Sequence, residues 1–81
     1  MNLQARQIAD EALDLIDATK DHIGWLTALM TATRFDAKHN KGRNFEKLTS
    51  LGQYLSNDWD HYLDAQSTRL RAQLDVVEVS L

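Results

Sequence analysis

Two long apolar stripes at helical spacing, separated by one short breaker, constrain this chain more than anything else in it. The first runs Ile8, Ala12, Leu15, Thr19, Ile23, Leu26, Met30, Thr33. The second runs Leu48, Gly52, Leu55, Trp59, Leu63, Gln66, Leu70, Gln73, Val77. Steps of three and four residues keep side chains on one face of an α-helix, whereas a strand needs steps of two. The breaker, His39-Asn40-Lys41-Gly42-Arg43-Asn44, lies almost midway between the stripes. This pattern predicts an all-α fold, an antiparallel helical hairpin with helices over about 3–36 and 44–78.

Gly42 permits the reversal because it adopts backbone conformations closed to other residues. Asn44 is a good N-cap, its side-chain oxygen able to accept an orphaned backbone N–H of the second helix. Gly24 inside the first helix costs up to ~1 kcal/mol relative to alanine. The polar run Asp17–His22 precedes it, so the single helix over about 3–36 has room for a bend near Asp21 or Gly24. At the other end, the β-branched Val76-Val77-Glu78-Val79 is a poor helix former and is expected to fray.

Eighty-one residues make one domain, 1–81, too small to be stable without a staple. The chain has no cysteine, so neither a disulfide nor a thiolate metal site can serve. Each apolar face spans about half its helix, more than one partner helix covers. A monomeric hairpin would expose a long apolar flank. Two hairpins meeting face to face as a four-helix bundle would cover it, making the chain its own partner as a homodimer. The alternative is a monomer in which a break near Asp21 folds the first helix back as a third.

The net charge of -3 is unevenly spread. From Arg34 to Lys47 five basic residues face two acidic ones, a net +3, so the remainder is -6. An acidic body with a basic turn argues against nucleic acid as the main partner. The N-terminus opens into an amphipathic pattern rather than a basic start and apolar core, and no stretch approaches ~20 apolar residues. A cytoplasmic protein with no membrane contact is therefore expected.

No nucleophile constellation, phosphate loop or dinucleotide fingerprint is present, so no catalytic residue, enzyme activity or cofactor is expected. Asp58, Asp60, His61 and Asp64 come closest to a metal site. The hairpin would bring Asp21 and His22 level with residues 58 to 60. Bundle metal sites project their ligands inward, however, and here Trp59 and Leu63 take the inward positions while Asp60, His61 and Asp64 face out. Gln66 and Gln73 sit within the second stripe, where they either fix register or reach water where the bundle widens.

Two surfaces remain as candidates for binding. The turn gathers Lys38, His39, Lys41, Gly42, Arg43 and Asn44 beside a helix N-terminus, where free N–H groups and the dipole favour an anion. Its targets would be an acidic protein surface, a phosphate or a nucleotide, and the competing reading is a solvated loop. The second surface is the aromatic margin of the stripes, with Trp25, Leu29, Tyr54, Trp59 and Tyr62 as interface residues.

The leading functional expectation is a dimeric adaptor or regulator acting by contact with another protein. The alternatives are a module for a nucleotide or other small anion and, remotely, a metal-dependent bundle enzyme. In style, a small acidic helical chain without cysteine or proline resembles accessory regulators of bacteria and their phages, a likeness that assigns no residue.

Overall fold

The computed structural model describes residues 3–80, the last by its backbone alone; Met1, Asn2 and Leu81 lie outside it. It is a hairpin of two helices, α1 over Leu3–His39 and α2 over Phe45–Ser80, packed against each other. Its extents are 61 × 18 × 10 Å and its radius of gyration 18.4 Å. A compact domain of this length would have a radius near 12 Å, so the protein is a rod two helices wide.

α1 is continuous through Asp21 and Gly24, which removes the break on which the three-helix alternative depended. A Cβ at Gly24 would meet nothing within 4 Å. The glycine therefore loses helix propensity without interrupting the helix, and packing along the rest of the stripe keeps the chain helical there.

Three pairs define the register. Asp36 bonds Asn44, the rings of His22 and Trp59 stack, and Arg69 bonds Glu11. The residue numbers of each pair total 80 or 81. Residues 58 to 60 do lie level with His22, as the symmetric reversal predicts.

α2 buries the stripe read from its sequence. Every member from Leu48 to Gln73 is half-buried, and Val77 is the most buried apolar side chain among the described residues, 3% exposed. The valine-rich end does not fray, because packing outweighs the weak propensity of β-branched residues.

On α1 two positions differ from expectation. Ile23 and Met30 are 58% and 65% exposed, while His22 and Leu29 occupy the seam. Thr19 and Thr33 remain in the seam because their hydroxyls donate to the carbonyls of Leu15 and Leu29, at 2.7 and 2.8 Å. A threonine satisfied by its own helix presents mainly its methyl group. His22 uses the same device. A carbonyl can only accept, so Nδ1 carries the hydrogen shared with Ala18, 3.2 Å away.

The rod has two flanks along the seam. Residues seven apart stay in one row, so Ala9, Ile16, Ile23, Met30 and Ala37 form an aliphatic ridge on α1. Beside it run grooves lined by Leu26, Met30, Gly52 and Ser56 near the turn, and by Ala12, Ser67 and Leu74 near the open end. The opposite, aromatic flank has grooves lined by Ala32, Phe35 and His39 near the turn, and by Glu11, Tyr62 and Arg69 further along.

Candidate interaction surfaces

The turn is organised by a residue whose importance the charge count hid. Asp36, 4% exposed, is the buried charged side chain of the described residues. Its Oδ1 accepts from the Asn40 side-chain amide at 2.9 Å and from that of Asn44 at 3.4 Å. Its Oδ2 accepts the backbone N–H of Asn44 at 3.1 Å. Its backbone carbonyl also takes the N–H groups of Asn40 and Gly42, at 2.9 and 3.0 Å. One residue in the last turn of α1 thus holds both strands of the reversal.

The reversal itself uses two left-handed residues, Lys41 with φ 57° and Gly42 with φ 69°. Gly42 thereby does what its sequence position suggests. Asn44 sits just before α2 as expected, but its side chain is turned differently. Its amide nitrogen donates back to Asp36, and the carboxylate that takes a main-chain N–H at the start of α2 comes from α1. α1 reaches His39, a turn beyond the predicted 36, because this carboxylate needs helical backbone around Asp36.

For the predicted anion site the consequence is direct. Lys38, His39, Lys41, Arg43 and Asn44 are all exposed around the turn, with Gly42 half-buried. The N–H of Asn44, one donor an incoming phosphate would seek, is already held by an internal carboxylate. His39 rests on Phe35, ring centroids 4.7 Å apart. The side chains of Lys38, Lys41 and Arg43 extend from the rod as a basic tip.

The aromatic residues form a ladder across the two helices. Trp25 meets His22 with centroids 4.4 Å apart, His22 stacks on Trp59 at 3.7 Å and an interplanar angle of 15°, and Trp59 stacks on Tyr62 at 4.9 Å. Trp59 and Leu29 lie in the seam, so two of the five predicted interface residues hold the hairpin together from within. Trp25, Tyr54 and Tyr62 are 57%, 67% and 47% exposed. Trp59 Nε1 is buried without a hydrogen-bond partner, and aromatic stacking contributes roughly 0.5–1.5 kcal/mol per pair against that loss.

Further along, Arg69 carries no distinguishing signal in the sequence. Its Nη1 donates to Glu11 Oε2 on α1 at 2.8 Å, while its Nε and Nη2 both donate to Gln66 Oε1, at 3.0 and 2.8 Å. Gln66 thereby orients the arginine through two hydrogen bonds within α2. Gln73 instead lines a polar groove with Gln4 and Gln7.

Asp58, Asp60, His61 and Asp64 are all exposed, with Trp59 and Leu63 turned inward. Among the described residues no three His, Asp or Glu side chains gather around a point that could hold a metal ion. Nor is any helix of the described residues long and apolar enough to cross a membrane. Compared with known protein families, curated proteins and solved structures, the chain matches none.

Proposed function

We propose that the chain is a helical interaction protein whose working unit is a homodimer and which acts by contact with another protein. The observation that carries this reading is the surface left outside the hairpin. Its accessible area is 6578 Å², whereas a compact monomer of 9.3 kDa exposes roughly 5,000 Å². The excess, about 1,600 Å² per chain, falls within the range that permanent homodimers hide.

The character of that surface supports the same conclusion. Ile16, Ile23 and Met30 are each more than half exposed and form one row along α1, and Phe45 and Leu51 on α2 are about half exposed. Scattered apolar residues are ordinary on a protein surface, but continuous rows signal a missing partner. The absence of a nucleophile set from the sequence leaves contact as the mode of action. A partner protein would meet whichever flank the second copy leaves open.

Sedimentation equilibrium across nanomolar to micromolar concentrations tests the reading. The expected result is a dimer of twice the 9.3 kDa chain mass, with a melting temperature that rises with concentration. A monomer at high micromolar concentration with undiminished helical circular dichroism would overturn it.

A further inference from the structure

We propose that the second copy docks on the aliphatic flank, antiparallel to the first, so that the basic turn of each hairpin lies over the acidic open end of the other. The inference rests on the dimer reading above and specifies which face and which direction it uses.

The choice of face follows from comparing the two flanks at equivalent depth beside the seam. On the aliphatic flank α1 presents the ridge Ala9, Ile16, Ile23, Met30, Ala37, and α2 opposes it with Ser56, Ser67 and Leu74. The α1 ridge contains no charge, and neither does the groove beside it near the turn; the charges that line the flank's other groove, Arg71, Asp75 and Glu78, stand at the open end. Nearer the seam come Ala12, Leu26, Gly52 and Leu70, again uncharged. The aromatic flank instead has Glu11, Asp14 and Arg69 around its long groove in the body of the rod, with Gln66 among them. Covering that flank would take the Glu11–Arg69 pair and Asp14 out of water, and desolvating charges is among the largest penalties an interface can incur. The aliphatic flank also pairs a ridge of large side chains with a row of small ones, which lets a copied ridge settle into a groove.

The direction follows from charge. The turn half, residues 23–58, has five basic residues against three acidic, net +2. The open half has four basic against nine acidic, net -5. A parallel dimer would set like ends beside each other at both extremities. A two-fold axis across the middle of the rod, near His22 and Trp59, sets +2 over -5 twice. Isologous pairing of this kind is the commonest closed assembly. It gives Lys38, Lys41 and Arg43 a complement within the dimer, and it leaves Trp25, Tyr54 and Tyr62 facing outward for a different protein.

The chain has no cysteine, so a single one can be introduced and spin-labelled cleanly. In Lys41→Cys the label sits at the tip of the rod. Antiparallel docking puts the two labels of a dimer at a separation approaching the 61 Å length of the hairpin. Parallel docking puts them roughly 20 Å apart, two helix spacings. A dominant distance beyond about 45 Å by double electron–electron resonance is the expected result, and a short one overturns the orientation.

The face is tested by sedimentation of Ile23→Glu and Tyr62→Glu, with circular dichroism as the folding control. Ile23→Glu should weaken the dimer at least ~100-fold and Tyr62→Glu less than ~5-fold, since only the first buries a carboxylate. The reverse order overturns the face. If Ile23→Glu loses helicity, Ile16→Glu takes its place in the same comparison. A wild-type chain that never dimerises would instead defeat the underlying reading, a result distinct from either.

Discussion

Replacing Asp36 with alanine should be one of the most damaging single changes available to this fold. Asp36 stands in the last turn of α1, where the helix dipole disfavours a negative charge, and it is 4% exposed. Two things keep it there: the adjoining N-terminus of α2 and three donors at 2.9, 3.1 and 3.4 Å. Hydrogen bonds to a charged group contribute roughly 1.5–3 kcal/mol each, and the longest of these counts for little. Alanine avoids the cost of burying a carboxylate, which offsets part of the loss. A net destabilisation of about 2–4 kcal/mol is expected. Asp36→Asn keeps one oxygen for the Asn44 N–H and presents an NH₂ group to an Asn40 amide that must flip, so it should recover about half. Urea unfolding followed by circular dichroism, at one fixed chain concentration, measures both variants. A loss below about 1 kcal/mol for the alanine variant would refute the claim that this carboxylate holds the turn.

Two glycines on the same rod should answer alanine differently. Gly24→Ala adds helix propensity in open space and should stabilise by about 1 kcal/mol, whereas the Cβ of Gly52→Ala would stand 3.2 Å from Leu29 Cδ2 and give a visibly smaller gain in thermal unfolding. Equal gains at both would mean the helices are not in close contact there. In a double-mutant cycle, Glu11→Ala with Arg69→Ala should show a coupling of at most ~1 kcal/mol, because both side chains are 44% exposed, and the coupling should shrink with added salt. Gln66→Ala should reduce that coupling further by releasing the arginine; an unchanged coupling would deny Gln66 its orienting role.

The second helix was legible in the sequence almost residue by residue, because its buried positions, Gln66 and Gln73 apart, are apolar or glycine and recur at helical spacing. The first was harder to read. Ile23 and Met30 are more hydrophobic than His22, so a search for apolar spacing slides the stripe one residue toward the aliphatic ridge. What puts His22 inside is the ring of Trp59, a contact that exists only once the hairpin closes. Asp36 escaped notice for a related reason. A charged residue among charged residues looks like surface, and nothing local distinguishes a carboxylate that will meet three donors across a turn. The turn's length was legible in Gly42, but not that Lys41 would share its left-handed backbone. Arg69 looked like any exposed arginine until Glu11, 58 positions away, came beside it.

The hairpin has one turn joining its helices, and that shapes how it comes together. Bringing Asp36 to Asn44 closes a loop of 8 residues, while bringing Glu11 to Arg69 first would close one of 58. Chain entropy separates the two by roughly 2 kcal/mol, enough to favour closure at the turn by more than tenfold. The seam is therefore set to zip from Asp36 outward, each pair shortening the loop that the next must close. The open end then has the weakest tether and the last chance to form. Val77 and the Glu11–Arg69 pair stand near that end, where they act as a latch on a fold whose assembly begins at its turn.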